Sequence, residues 1–183
     1  MSFRDWLRGV FAGKAPELDP LDLSLTDLKK GYLVDYDLKT WQVTSHNRYD
    51  FDGDQAQEWE LFSGDERCYL GAEKDDEYAW SVSRKIAFSA LGPAVKDHLL
   101  QHDDPPQAIV YDGTRYSLEE SGAGYFFPDG RVAGDELIYW DYTDETGEKL
   151  LTIEQWGETE FEASVGKTVQ AYEFRNILPQ HEE

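Results

Sequence analysis

Two glutamates, Glu73 and Glu154, have the residue type and spacing that most readily suggest a reaction. When the two halves of the chain are compared without gaps at a shift of 81 residues, these glutamates fall at the same position. Two carboxylates that flank a cleft can supply the acid and base of glycoside-type hydrolysis when they lie about 5 to 9.5 Å apart. The chain has 38 acidic residues, however, so a chance pair is easy to find. The same carboxylates could instead accept hydrogen bonds from turns or pair with Lys and Arg on neighbouring strands.

Metal-ligand patterns in the sequence are incomplete. The segment Asp50-Phe-Asp-Gly-Asp54 places acids as a calcium loop does, but its glycine comes fourth instead of sixth and Leu61 stands where a glutamate is needed. An acidic hairpin tip is therefore the better interpretation. His98 and His102 have i,i+4 spacing without a nearby third ligand, and the four histidines form no zinc pattern. We expect neither a metal nor a cofactor.

Signatures of nucleophilic catalysis and of nucleotide binding are also missing from the sequence. There is no Gly-x-Ser-x-Gly elbow, and Cys68 lies in an apolar strand pattern without a basic activator. Gly122-Ala-Gly124 is too short for a phosphate loop, and no helix pattern follows it. We therefore name no catalytic residue and expect a protein that is not an enzyme.

The charge of the chain limits its partners. It has 17 basic and 38 acidic residues, a net charge of -21. Phosphate backbones repel such a surface, so we expect no nucleic-acid partner. Cationic partners, such as polyamines, metal ions or basic protein patches, are favoured instead, although the charge could simply solubilise the protein.

Cysteine content and hydropathy indicate the compartment. A single cysteine excludes an intramolecular disulfide and fits a reducing environment. No stretch approaches the roughly 20 apolar residues of a membrane span, and the N-terminus lacks the features of a signal peptide. We expect a cytoplasmic protein, with peripheral contact at the inner membrane face as an alternative.

Residues 1–13 predict an amphipathic N-terminal helix with a basic bias. Ser2 can cap it, Arg4 and Arg8 lie on or beside one face, and the apolar residues of the opposite face are Phe3, Trp6, Leu7, Val10 and Phe11. The helix either docks on the domain or forms a detachable arm for a partner groove or a membrane interface. A segment this short would give only weak, reversible membrane contact.

The remainder of the chain predicts short β-strands with turns every 8 to 12 residues, the rhythm of an antiparallel meander. Pro93 favours a short connecting helix, Ala94 to Gln101, between two strand-rich regions. The resulting segments are a linker (14–27), a first β-repeat (28–88), a connector (89–107), a second β-repeat (108–178) and a tail (179–183).

An internal repeat organises the strands. Tyr36-Asp-Leu-Lys-Thr-Trp41 matches Tyr111-Asp-Gly-Thr-Arg-Tyr116. The 81-residue shift also superposes Trp59 on Trp140, Leu70 on Leu151, Trp80 on Phe161 and Ser83 on Ser164. We therefore predict a mainly β protein of two repeated antiparallel meanders, packed as a sandwich or as a pair of half-barrels, with a short N-terminal helix and a short connecting helix. Most aromatic residues should then be core.

Seven short motifs follow one another along both halves: Gly31-Tyr-Leu-Val-Asp-Tyr-Asp37, Trp41-Gln-Val43, Glu58-Trp-Glu-Leu61, Tyr111-Asp-Gly-Thr-Arg-Tyr116, Tyr139-Trp-Asp-Tyr142, Leu150-Leu-Thr-Ile-Glu-Gln-Trp-Gly157 and Glu162-Ala-Ser-Val-Gly166. In the order and spacing of these motifs, the chain resembles a bacterial family, the domain of unknown function 4178, over about residues 28 to 178. The first half lacks an equivalent of the Glu-Gln-Trp-Gly run. The resemblance implies no activity; it implies an association with bacterial membrane-stress systems and polyamine-synthase-like enzymes.

Three functions are compatible with these observations. The leading hypothesis is a non-catalytic binding or adaptor protein that recruits a protein partner, with the N-terminal arm as its candidate contact. The second is a binding module for a cationic small molecule such as a polyamine, held by acids and aromatic faces. The third is a hydrolase that uses Glu73 and Glu154, which requires that both carboxyls line one concave pocket.

Overall fold

The computed structural model describes residues 23–180, which form eleven β-strands, one α-helix and four short 3-10 turns. The strands are β1 (Leu33–Tyr36), β2 (Lys39–Phe51), β3 (Asp54–Ser63), β4 (Glu66–Lys74), β5 (Tyr78–Ile86), β6 (Ala108–Tyr111), β7 (Thr114–Phe127), β8 (Asp135–Thr143), β9 (Lys149–Gln155), β10 (Phe161–Val169) and β11 (Arg175–Leu178). The helix α1 (Pro93–His102) begins at the predicted proline. The prediction of a mainly β, antiparallel protein is confirmed.

All eleven strands belong to one sheet in the order β11-β1-β2-β3-β4-β5-β10-β9-β8-β7-β6. Apart from β11, the two halves have the same strand order: β1 to β5 follow one another from one edge of the sheet, and β6 to β10 follow one another from the opposite edge. In addition, β2 pairs with β7 near their C-terminal ends, Arg48 opposite Phe127 and Asp50 opposite Tyr125. The eight strands β2-β3-β4-β5-β10-β9-β8-β7 therefore form a closed ring.

Equivalent strands of the two halves carry equivalent irregularities. The register between β2 and β3 shifts between Val43 and Ser45, and that between β7 and β8 shifts between Leu118 and Glu120. In each of these two long strands, a bulge adds one residue at the same point and changes which of the following side chains face each side of the sheet. The strand arrangement thus corresponds between the halves, while descent from one duplicated segment stays a prediction.

The ungapped shift of 81 residues is wrong for β4 and β9. Leu70 lies opposite Trp59, but Ile153, not Leu151, lies opposite Trp140. The turn before β9 is longer than the turn before β4, and it displaces β9 by two residues. Glu154 therefore corresponds to Gly71, and the predicted equivalence of Glu73 and Glu154 does not hold.

The apolar residues form two separate clusters, one in each half. The first packs around Trp59, Leu61 and Leu70, and is covered by β1, β11 and the 3-10 turn Leu25–Asp27. The second packs around Trp140 and Leu151, and is covered by α1 and β6. Leu25 is buried, so the end of the segment predicted as a linker is part of the fold.

Each of the two tryptophans donates a hydrogen bond from its indole nitrogen: Trp59 to the Leu28 carbonyl at 3.0 Å and Trp140 to Asp104 at 3.1 Å. Buried indole N–H groups need such partners. Because the two apolar clusters are separate, the halves of this single sheet do not share one apolar core.

Candidate functional site

The interior of the strand ring is polar. Along β3, Glu58 and Glu60 alternate with Trp59 and Leu61, so the carboxylates point into the ring while the apolar residues point outward. One interior cavity of about 140 Å³ is lined by seven of the eight ring strands. A second, of about 280 Å³, shares five lining residues with it: Tyr49, Glu58, Ser83, Glu154 and Ser164. We call these two cavities together the acidic lumen.

Carboxylates greatly outnumber bases in the acidic lumen. Of the residues between 23 and 180, Lys85 is the one basic residue that lines either cavity, and it forms an ion pair with Glu162. The five lining carboxylates are Glu58, Glu60, Glu73, Asp141 and Glu154. Glu60 lies 3.4 Å from the Arg67 guanidinium. Within residues 23–180, the other four have no basic partner within ion-pair distance.

A hydrogen-bonded group lies where the two cavities meet. The Tyr49 hydroxyl donates to Glu154 at 3.3 Å, and the Asn47 amide donates to Glu58 at 2.9 Å. Burial raises the pKa of Glu154 to about 7, and the nearby charges of Glu58 and Glu162 act in the same direction, against Lys85 and the Tyr49 hydrogen bond. Burial also raises the pKa of Glu58.

A second group lies towards the other end of the lumen. Asp141 accepts a hydrogen bond from Thr152 at 2.5 Å, and the Tyr139 hydroxyl donates to Glu120 at 3.1 Å. Burial raises the pKa of Asp141 to about 6 despite that hydrogen bond, with Glu73 and Glu120 contributing repulsion. Partial burial at the rim, together with the charge of Glu120, raises the pKa of Glu73.

Small residues keep the lumen open between these groups. Gly71, Ser81, Ser83, Ser164 and Gly166 line the first cavity on β4, β5 and β10. At Gly166 a Cβ atom would lie 2.5 Å from the Val82 carbonyl oxygen, so glycine permits β5 and β10 to approach.

Burial works against the charged form of Lys85, but its hydrogen bond and ion pair with Glu162 outweigh this and raise its pKa. Lys85 is thus paired with Glu162. Its positive charge also opposes the rise in the pKa of Glu58 and of Glu154, but neither carboxylate lies within ion-pair distance of it.

Glu73 and Glu154 both line the first cavity, although they do not occupy equivalent positions. Sequence reasoning did not name Glu58, Asp141 or Tyr49 as site residues. The alternation Glu58-Trp-Glu-Leu61 carried a usable signal, since it marks a polar face opposite an apolar one. What the sequence did not show is that the polar faces of both halves line one cavity.

The predicted arm, residues 1–13 with Phe3, Arg4, Trp6, Leu7, Arg8, Val10 and Phe11, lies outside the described residues. No helix among residues 23–180 is both long and apolar enough to cross a membrane. Within the same range, no three His, Cys, Asp or Glu side chains are grouped so that they could hold a metal ion. Asp52 and Gly53 form a hairpin tip, as predicted.

Comparison with known proteins adds a family but no activity. A protein of Aquifex aeolicus (strain VF5), named Uncharacterized protein, is 29% identical over 181 residues, which cover 98% of this chain and 99% of the relative. No solved structure matches the chain significantly. Residues 29–171, most of the chain, match the profile of the domain of unknown function DUF4178. The chain belongs to the DUF4178 family.

Proposed function

We propose that this protein binds an organic cation, of the linear di- or polyamine type, in the acidic lumen. The observation that carries the proposal is the set of four carboxylates, Glu58, Glu73, Asp141 and Glu154, that line one cavity without a basic group within ion-pair distance among residues 23–180. Glu58, Asp141 and Glu154 are partly buried there, and Glu73 lies exposed at the rim. Charges removed from water are costly unless they are paired. A bound cation would supply the missing charge.

The distribution of these groups favours an elongated cation over a compact one. Asp141 and Glu73 lie in the first cavity, whereas Glu58 and Glu154 line both cavities, where the two meet. Separated carboxylates match ammonium groups joined by methylene chains. Phe51 and Tyr139 line the same cavity and offer aromatic faces for cation–π contact.

Hydrolysis by Glu73 and Glu154 is the second candidate, because one cavity contains both side chains. Acid–base pairs of hydrolases have environments that move the two pKa values apart. Here the pKa values of Glu73 and Glu154 are both raised, chiefly by burial. This shared direction does not distinguish an acid from a base, whereas cation binding requires no such division.

Thermal unfolding with and without spermidine tests the proposal. A ligand present at about 100 times its Kd stabilises the native state by about 2.7 kcal/mol. For a chain of this size that corresponds to a rise in Tm of roughly 5 to 10 °C. We expect this rise in the wild type, a much smaller one in the double variant Glu154→Gln/Asp141→Asn, and the full rise in Glu145→Gln, which removes one exposed carboxylate from a turn outside the lumen.

Equal loss of the spermidine effect in both variants would show that the acidic surface, not the lumen, attracts the amine.

Calorimetry in two buffers of different ionisation enthalpy adds an independent measurement. Because Glu154 is partly protonated near neutral pH, binding of a cation beside it should release protons. Binding with no proton release, or to Mg²⁺ as tightly as to spermidine, would contradict the proposal.

A further inference from the structure

A second concave surface lies outside the strand ring, where β5 pairs with β10. It is a cleft of about 430 Å³, within the size range of small-molecule sites. Its lining includes Tyr36 and Asp37 from the β1–β2 hairpin and Tyr111 and Asp112 from the β6–β7 hairpin, the turns that the sequence comparison matched. We call it the seam cleft. One hairpin of each half therefore borders it.

Basic side chains without ion-pair partners distinguish the seam cleft from the acidic lumen. Arg84, Lys149 and Lys167 line it, and none has a carboxylate within ion-pair distance among residues 23–180. Lys149 donates to the Thr114 hydroxyl at 3.0 Å, and the Lys167 ammonium lies 5.9 Å from the centre of the Tyr36 ring. Tyr36 is the main cause of the raised pKa of Lys167, and the charges of Glu173 and Asp37 contribute to it. Three cations without an ion-pair partner among the described residues are nevertheless unexpected in a chain with a net charge of -21.

Most other charges of the cleft are either paired or exposed at its edge. Glu66 forms an ion pair with Lys39, and Arg67 lies 3.4 Å from Glu60. Asp37 and Asp112 are exposed at the two hairpin turns, both with positive φ. Among residues 23–180, no basic group lies within ion-pair distance of either aspartate.

Aromatic side chains give the cleft rigid walls. Tyr36 stacks on Phe174 with ring centres 4.4 Å apart, and the Trp41 indole donates to the Tyr36 carbonyl at 3.0 Å. Tyr116 is buried on the opposite side. Side chains that are already held in place lose less conformational entropy when a ligand binds.

We propose that the seam cleft binds a small organic anion through a phosphate or pyrophosphate group. Arg84 occupies the floor opposite Val165, where the two halves meet, and lysines from β9 and β10 flank it. An arginine fork grips two phosphate oxygens at once, and lysines add point charges. The aromatic walls would then contact the organic part of the ligand. The seam cleft shares Ser83 and Gly166 with the lining of the acidic lumen but none of the five lumen carboxylates.

Titration calorimetry with inorganic pyrophosphate tests the proposal on the whole chain. We expect saturable binding to the wild type, and affinity lower by roughly tenfold or more in Arg84→Gln, which removes a charge-assisted contact. Arg115→Gln is the matched control, since Arg115 is an exposed arginine outside the cleft, and its affinity should be unchanged. Lys149→Gln should weaken binding further when combined with Arg84→Gln.

Three results would overturn the assignment: no saturable binding to the wild type, equal weakening in Arg115→Gln, or undiminished binding in the Arg84→Gln/Lys149→Gln variant. Arg84 and Lys149 are exposed, so these variants should fold, and circular dichroism verifies that they do. Glu154→Gln should leave pyrophosphate binding unchanged, and Arg84→Gln should leave the spermidine effect unchanged. The two sites can therefore fail separately.

Discussion

Replacing Glu154 by glutamine should make the protein more stable at alkaline pH than the wild type. Burial raises the pKa of Glu154 from its ordinary 4.5 to about 7 in the folded protein. Between these values the folded chain keeps the proton that the unfolded chain has released. The free energy of unfolding therefore falls as the pH rises through this window, and the loss is complete above about pH 7.

The size of this effect follows from the pKa difference. Each tenfold change in proton affinity is worth about 1.4 kcal/mol, so the raised pKa corresponds to a full penalty of about 3 kcal/mol. About 2.5 kcal/mol of it arises between about pH 5 and about pH 8. That is a large part of the roughly 5 to 15 kcal/mol by which domains are stable.

Glutamine is the informative substitution because it keeps the shape of the side chain and an oxygen to accept the Tyr49 hydroxyl bond. It cannot ionise, so the variant lacks the pH-dependent penalty. Urea unfolding at about pH 5 and about pH 8 measures the difference between variant and wild type at each pH. We expect that difference to shift in favour of the variant by about 2.5 kcal/mol between the two conditions.

Glu145→Gln serves as the control, since it removes an exposed carboxylate and should show the same pH profile as the wild type. A Glu154→Gln effect that is the same at both pH values would refute the reasoning, because it would mean that the Glu154 carboxyl titrates alike in the folded and unfolded chain. Spermidine should also stabilise the wild type more at about pH 8 than at about pH 5, since the lumen carboxylates are then ionised.

Three further changes test the fold around the two sites. Leu38→Gly should raise the free energy of unfolding, measured in urea, by about 1 kcal/mol. Leu38 is fully exposed and is held at φ 62°, and Gly113 occupies the equivalent position in the matching turn of the second half. An unchanged free energy of unfolding would show that the turn is unstrained. Gly124→Ala should cost about 1 to 3 kcal/mol in the same assay, because a Cβ atom would lie 2.5 Å from Cδ1 of Phe51; an unchanged midpoint would contradict this close approach. Cys68 should resist a thiol reagent at neutral pH until the protein unfolds, because burial raises the pKa of its thiol to about 12, and rapid labelling of the native protein would disagree with that burial.

Local sequence signals predicted much of the fold. Alternating residues and turn signals located strands in both halves, and Pro93 marked the first residue of α1. The Tyr-Asp turns at Tyr36 and Tyr111 are observed hairpins. These features depend on residues close together in the chain, which is why a single sequence reveals them.

Other features depend on contacts between distant residues. The strand β7 runs unbroken from Thr114 to Phe127 through Gly122 and Gly124, although glycine inside a strand pattern usually indicates an interruption. Glycine is needed there because a Cβ on Gly122 would lie 2.9 Å from the Tyr139 ring. The displacement of β9 arises similarly, from a longer turn whose effect appears only in the strand pairing.

The sequence did not reveal whether the apolar face of each meander points into or out of the strand ring. The prediction expected apolar faces of two meanders to be buried by placing the copies face to face, because an exposed apolar face is costly. Each half instead covers its own apolar face, with β1 and β11 in the first half and α1 and β6 in the second. Closure of the ring depends on three residue pairs between β2 and β7. No local pattern specifies so short and distant a pairing.

The position of the apolar clusters has a consequence for function. Because each cluster is complete within one half, stabilisation comes from outside the ring, around Trp59 and Trp140, and does not require an apolar interior. The interior is then free to carry groups that oppose folding, such as Glu154, whose raised pKa marks a cost at neutral pH and above. Residues chosen for stability alone would not keep such a cost, and unfavourable buried charge is typical of functional sites. Cation binding in the acidic lumen, as we propose it, would account for a cost that folding alone does not explain.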